Sequence, residues 1–172
     1  SSVYGGNTKL PFSENDKADK PLSIYAATKK SVENLAYSYS YTFKIPTTMM
    51  RFFTVYGPWG RPDMALFKFV KSIINNEEIE VYNNGQMSRD FTYIDDLVKV
   101  IENLVEIIPS KENCKFGEAP YRNINIGNSN RIDLMSFINA IEASLNKKAK
   151  IKFLPLQTGD VKDTWSNNTT LK

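Results

Sequence analysis

The 172 residues contain no histidine and a single cysteine. Without histidine the chain lacks the one side chain that ordinarily titrates near neutral pH, and with it the commonest zinc ligand. The lone cysteine, Cys114 in the polar stretch PSKENCKFGEAP, allows no internal disulfide, which fits a reducing cytoplasm. No apolar run approaches ~18 residues, so no helical membrane span is expected, and no secretory leader is visible. The net charge is only +3, and no cluster of lysine or arginine alternates with aromatics, which argues against a nucleic-acid partner. The eight glycines never fall into a Gly-x-x-Gly-x-x-Gly phosphate loop. Internal repeats and low-complexity segments are also missing. Chemistry in such a chain has to come from a tyrosine, a lysine, a carboxylate or a bound cofactor, and no metal site is expected.

What is present reads as a globular α/β pattern, 41% hydrophobic and 24% charged. Residues 21–44 form a long predicted helix with Ser23 as N-cap and with Ile24, Ala27, Val32, Leu35 and Ala36 at helical spacing; Pro46 follows its end. The β-branched and aromatic run 47–57 reads as a buried strand closed by Gly57-Pro58. Further helices are expected at 64–76, 96–108 and 132–145, with Asp95 capping the second of them. Strands are expected at 79–85, 89–94, 121–127 and 149–155. Strands separated by helices of this length imply βαβ units and a parallel or mixed sheet. SSVYGG reads as a strand exit and the polar tail as the start of a helix, so the chain reads as the later portion of a larger α/β protein.

Of the nine tyrosines only Tyr25 has a lysine four residues on, Lys29. That spacing puts both side chains on one face of the predicted helix. A free tyrosine titrates near ~10, so service as a base near pH 7 requires about 4 kcal/mol of added phenolate stabilisation. An ammonium one turn away supplies a stabilising charge of the right sign. The same lysine can hydrogen-bond a ribose hydroxyl. By itself the pair is more simply read as a helix-surface tyrosine beside a solvated lysine, since about one such spacing is expected by chance.

Hydroxyl residues followed by Val-Tyr-Gly, then Tyr-x-x-x-Lys on the next helix, resemble the extended short-chain dehydrogenase/reductases that epimerise or dehydrate nucleotide sugars. RFFTVYGPWGRPDMALFKF (51–69), VYNNGQMSRDFTYIDDL (81–97), NINIGN (123–128) and QTGDVKDTW (157–165) follow in the same order as in that family, and together they cover nearly the whole chain. Within the family the chain is most similar to the UDP-glucuronate 4-epimerases. The resemblance implies the C-terminal part of a Rossmann-type doubly wound sheet joined to a smaller α/β domain that binds the sugar nucleotide. Residues 1–60 would end the NAD-binding domain and 61–172 would form mainly the substrate domain, with 89–127 partly returning to the Rossmann core. The glycine-rich loop would precede Ser1, as would the family's catalytic serine or threonine. The resemblance further implies NAD as cofactor, a UDP-sugar as substrate, a homodimer, and a cytoplasmic role in polysaccharide precursor synthesis.

The same resemblance assigns roles to individual positions. Tyr25 would be the base and Lys29 its partner on the nicotinamide ribose, with Phe53 packing near the nicotinamide. Ser1 and Ser2 would line the sugar site beside the family's catalytic serine or threonine, and Thr54 stands where many relatives have an asparagine touching the substrate. Val81 and Tyr82 would hold the uracil, Arg89 the diphosphate, and Asp160 the uridine ribose. Arg61 would pair with a sugar C6 carboxylate. Gln157 stands where galactose-type epimerases often carry arginine. Trp59 and Trp165 are expected at the substrate lip or the domain seam. Adjacent Asp95 and Asp96 read as helix-opening acids, not as a metal site. Dehydratases and UDP-glucuronate decarboxylases of the family carry an acid where this chain has Ser1 and Ser2, so elimination chemistry is disfavoured. A non-catalytic module that holds a nucleotide sugar is the remaining alternative, and the 172 residues alone are expected to be inactive.

Overall fold

A computed structural model describes residues 1–110 and 118–171; Cys114 lies outside the described residues. The chain runs β1 (Thr47–Phe52), β2 (Thr54–Tyr56), β3 (Glu78–Val81), β4 (Ser88–Tyr93), β5 (Tyr121–Ile126), β6 (Arg131–Asp133) and β7 (Lys150–Phe153). Helix α1 (Ile24–Phe43) precedes β1, α2 (Ala65–Ile74) follows β2, α3 (Ile94–Glu106) follows β4 and α4 (Leu134–Leu145) follows β6. Three parallel pairings tie distant segments together: β1 with β5, β2 with β4, and β3 with β7. Only β6 is antiparallel to its neighbour β4 among the described strands. The α/β class expected from the alternating pattern is what the structure has.

The expected strand 47–57 is two strands. Phe53 still donates its N–H to the Ile126 carbonyl at 3.2 Å, but from Thr54 onward the strand pairs with β4 instead of β5. Changing partner at one residue brings both neighbouring strand ends to the segment that carries Phe53 and Thr54. The β6 strand overlaps the start of the expected helix 132–145, because three residues are too few to show a period of two. Asp133 ends it and caps α4, its carboxylate accepting from the Ser136 N–H at 2.9 Å.

Two further expectations are corrected. The N-cap of α3 is Tyr93, with no side-chain cap, and Asp95 and Asp96 stand in the first turn. There they complement the positive end of the helix without capping it. SSVYGG is not an extended strand exit but a 3-10 turn, Ser2–Tyr4, ended by Gly5 at φ 44°. A Cβ on Gly5 would sit 2.2 Å from the Lys20 carbonyl oxygen, so both conformation and space demand glycine.

Core packing follows the amphipathic helices. Phe69 and Ile73 of α2 and Ile138 and Ile141 of α4 close over Ile79 and Val81 of β3. Leu97 of α3 packs on Ile124 and Ile126 of β5. Helix α1 behaves differently. Ser23 caps it as expected, accepting from the Ala26 N–H at 3.1 Å. Its buried positions are Ala26, Glu33 and Ser40, seven apart, whereas Ile24, Val32 and Leu35 face outward. Small and polar side chains let this helix lie close to β1, and its apolar positions remain on the open side.

Candidate functional site

Four of the expected substrate residues meet in one cavity of about 220 Å³. Thr54 enters it from β2, Tyr82 from the turn after β3, Arg89 from β4 and Asp160 from the C-terminal segment. The arginine is held from several sides. Its Nη1 donates to the Ser88 and Lys162 carbonyls, both at 2.9 Å, and its Nη2 donates to Asp160 Oδ1 at 3.1 Å. Burial lowers the Arg89 pKa, partly offset by Asp160 and Asp163. A desolvated guanidinium with a fixed fork is prepared for an anion that can share its charge. Tyr82 donates from its hydroxyl to Glu80 at 3.1 Å, and that hydrogen bond and charge raise its pKa. Glu80 lines the cavity too, and the rest of the wall is apolar, Met64, Phe69, Phe91, Ile132, Leu134 and Phe137 among it.

Sequence reasoning missed this apolar lining. Phe91 lies two residues from Arg89 on β4, and so on the same face, which was the available signal. Phe137 stacks on Phe91 with ring centroids 4.6 Å apart, a contact across 46 positions that no local pattern announces.

A second group lies at the start of α1. Lys29 Nζ sits 5.4 Å from the centroid of the Tyr25 ring, and the tyrosine is exposed. Arg61 is close enough for the Tyr25 hydroxyl to contribute to its raised pKa, after the larger contributions of the hydrogen bond and charge of Asp63. Arg61 already forms an exposed ion pair with Asp63, Nε to Oδ1 being 3.1 Å. It is therefore not an unpaired guanidinium waiting for a ligand. The amino group of Ser1 donates to the Phe52 carbonyl, which places Ser1 and Ser2 at the end of β1, next to Phe53 and Thr54. Thr54 thus lines the cavity and follows the strand end at which Ser1 sits.

Phe53, Val81, Gln157, Trp59 and Trp165 do not line the 220 Å³ cavity. The Phe53 side chain is buried against Val3, Tyr4, Phe12 and Ala18. Val81 is in the core under α2 and α4, and its carbonyl accepts from the Leu154 N–H at 2.9 Å. Gln157 is outside the 220 Å³ cavity, on a larger open groove of about 750 Å³ that also includes Tyr82 and Lys152. Trp59 is fully exposed at φ 61°. Trp165 lies by β6, its indole N–H donating to the Ser129 carbonyl at 3.1 Å and its ring 5.9 Å from the Arg131 guanidinium carbon.

The exposed Tyr25 beside an ammonium that joins no ion pair among the described residues fits the ribose end of a nicotinamide nucleotide. The described residues include no cluster of His, Cys, Asp and Glu arranged to hold a metal, and no helix among them is long and apolar enough to cross a membrane.

Comparison with known proteins gives the same direction. The chain is 54% identical over 175 aligned residues to Protein CapI of Staphylococcus aureus, covering 97% of this chain and 52% of that protein. It is 50% identical to a probable UDP-glucuronate 4-epimerase of Rhizobium meliloti, covering 100% of this chain and 53% of the relative. The crystal structure of a UDP-glucuronic acid 4-epimerase from Bacillus cereus, in complex with UDP-glucuronic acid and NAD, matches with a TM-score of 0.86 at 33% identity. That match covers 99% of this chain and 51% of the other. The chain thus spans about half the length of the relatives it matches. The profile of the NAD dependent epimerase/dehydratase family matches residues 1–127, and the chain belongs to that family.

Proposed function

We propose that this chain contributes the catalytic helix and the sugar-nucleotide site of an NAD-dependent 4-epimerase that interconverts UDP-glucuronate and UDP-galacturonate. The observation that carries the proposal is the cavity in which Thr54, Tyr82, Arg89 and Asp160, from four separate segments, converge beside Thr54's neighbours at the end of β1. Residues 1–60 are assigned to the end of the cofactor-binding domain and 61–172 mainly to the substrate domain. The pairing of β5 with β1 and of β4 with β2 supports a return of 89–127 to the first of these.

In this reading Tyr25, as the phenolate, accepts the proton of the sugar 4-hydroxyl to become the phenol and returns that proton after the ring has turned over. Lys29 holds positive charge beside the ring and anchors a ribose hydroxyl. NAD, when bound, supplies a reversible two-electron acceptor for C4 and is regenerated in each cycle. Arg89 neutralises the diphosphate, and Asp160, besides fixing Arg89, is placed for a ribose hydroxyl. Arg61 exchanges Asp63 for the C6 carboxylate, with the Thr54 hydroxyl as a neutral donor. Phe53 acts from the core, backing the end of β1, and Val81 supports Tyr82 from beneath. The product would be a precursor of acidic polysaccharide made in the cytoplasm. A homodimer is proposed as well, supported by the outward apolar positions Val32, Leu35, Tyr39 and Phe43 of α1.

The test is incubation of the full-length protein with NAD and UDP-glucuronate, followed by chromatographic or NMR resolution of the two uronates. Conversion is expected, and Tyr25→Phe should lower kcat by orders of magnitude while leaving sugar-nucleotide affinity within a few-fold. Absence of conversion of every UDP-sugar offered to the wild type would refute the proposal.

A further inference from the structure

Behind the catalytic helix lies a buried polar chain with no assigned role. Arg51 on β1 is 5% exposed and Glu33 on α1 is 4% exposed. Arg51 donates from Nε to Glu33 Oε1 at 2.7 Å and from Nη2 to Glu33 Oε2 at 2.8 Å. Its Nη1 donates to the Tyr4 hydroxyl at 3.0 Å. Tyr4 in turn donates to Asn125 Oδ1 on β5 at 2.6 Å, and Asn125 Nδ2 donates to the Phe12 carbonyl at 2.9 Å. Lys30 adds a second cation to Glu33 at 2.9 Å. The Tyr4 ring is stacked between Phe12, 4.6 Å away, and the Arg51 guanidinium, 4.8 Å away.

One guanidinium therefore fastens two segments to β1. Through Glu33 it holds α1 one turn beyond Lys29 and two turns beyond Tyr25. Through Tyr4 it holds the turn that begins at Ser2. Through β1 itself it precedes Phe53 and Thr54 by two and three residues. Stability alone does not account for such an arrangement, because well-packed apolar residues often replace a buried ion pair at no loss. A bidentate fork does what an apolar contact cannot: it admits one orientation.

We propose that Arg51 is a positioning residue that, through Glu33 and Tyr4, fixes Tyr25 and Lys29 against the strand end where the sugar 4-hydroxyl must sit. This rests on the epimerase reading given above. Misplacement of a reacting group by about 1 Å costs on the order of a hundred-fold in rate.

The test uses the full-length enzyme loaded with NAD and three variants. Arg51→Met combined with Glu33→Leu removes both charges and strands neither. Arg51→Lys keeps the charge without the fork. Tyr4→Phe keeps the stacked ring and deletes the link to Asn125. For the double variant the expected result is a Tm near that of the wild type, KM for the UDP-sugar within twofold, and kcat down roughly ten- to a hundred-fold. Arg51→Lys should fail to restore kcat, and Tyr4→Phe should lower it less, by several-fold. A double variant, or a Tyr4→Phe variant if the double does not fold, that keeps kcat within twofold overturns the proposal, as does a parallel change in kcat and KM. A wild type that converts no UDP-sugar refutes the epimerase reading instead. The positioning role is then decided by amide hydrogen exchange over residues 24–30, expected to quicken at least tenfold in the variants while β1 and β5 stay protected; unchanged protection there overturns it.

Discussion

Replacing two adjacent isoleucines of α2 by alanine separates burial from every other effect of the substitution. Ile73 is 1% exposed and packs with Phe69, Ile79, Val81 and Ile138; Ile74, the next residue, is 48% exposed. A helix turns about 100° per residue, so the two side chains leave the axis in different directions. Both substitutions improve helix propensity by the same few tenths of a kcal/mol. Full burial makes Ile73→Ala cost about 3 kcal/mol, within the usual range for deleting three buried carbons and leaving a cavity. Ile74→Ala should cost no more than about 1 kcal/mol, since half its surface is already in water. For a domain of this size the first loss corresponds to a Tm decrease of roughly 6–12 °C. Urea unfolding followed by circular dichroism, with calorimetry for Tm, reads both. Because Ile79 and Val81 support the strand that leads into Tyr82, Ile73→Ala should also weaken UDP binding a few-fold, and Ile74→Ala should not. A gap below about 1 kcal/mol between the two variants, or the larger loss at Ile74, would refute the packing argument.

Other outcomes follow from the polar groups. Burial pushes the Glu33 carboxyl up, but the hydrogen bonds and charges of Arg51 and Lys30 outweigh it and hold the pKa below the ordinary value. The stabilisation from that pair is therefore present above the unfolded-state carboxyl pKa near ~4.3 and is lost as pH falls through the lower folded-state value. Glu33→Gln should destabilise by about 3–5 kcal/mol at pH 7. Denaturation from pH 7 to 3 should show the gap to wild type closing at the acid end; a constant gap would contradict the sign. Arg89→Ala should weaken UDP at least tenfold by calorimetry and uridine less than threefold, because only UDP carries the diphosphate; equal losses would place Arg89 on the nucleoside. In the full-length enzyme, Arg61→Ala should lower kcat/KM for UDP-glucuronate at least tenfold and for UDP-glucose less than threefold. Equal losses would move Arg61 away from the C6 carboxylate.

The helices were legible where burial follows apolar spacing. The α2 and α4 sequences announce their packed faces, and Ser23 announces the start of α1. The buried face of α1 was not legible, because Ala26, Glu33 and Ser40 carry no hydrophobic signal. The burial of Glu33 rests on the Arg51 fork, which lies 18 residues away in the chain. The break of the 47–57 run at Phe53 was hidden for a related reason. Both halves are β-branched and aromatic, and only the identity of the neighbouring strand changes. Of the proposed site residues, Tyr25, Lys29 and Arg89 stand in motifs that recur in the family's order. The aromatic lining of the cavity was not, since it arises between β4 and α4.

The C-terminal segment shows how one strand can carry both the cavity and its frame. On β4 the even-numbered Ser88, Asp90 and Thr92 are buried, while Arg89 and Phe91 line the cavity. Ser88 and Asp163 are joined by a hydrogen bond and a β-bridge. Asp90 Oδ1 accepts from the Asn128 N–H at 2.7 Å, and its Oδ2 accepts from the Ser166 N–H at 2.9 Å. Burial raises the Asp90 pKa against the pull of these donors. Gly127 has to be glycine beside it, because a Cβ there would lie 2.5 Å from the Ser166 Cβ. The period of two along SRDFT therefore divides the work: one face lines the cavity, and the other fixes the segment that brings Asp160 to Arg89. The polar tail reads in sequence as the start of a helix; Asp163 and Ser166 are instead held some seventy residues back in the chain, on the hidden face of the strand whose other face forms the cavity.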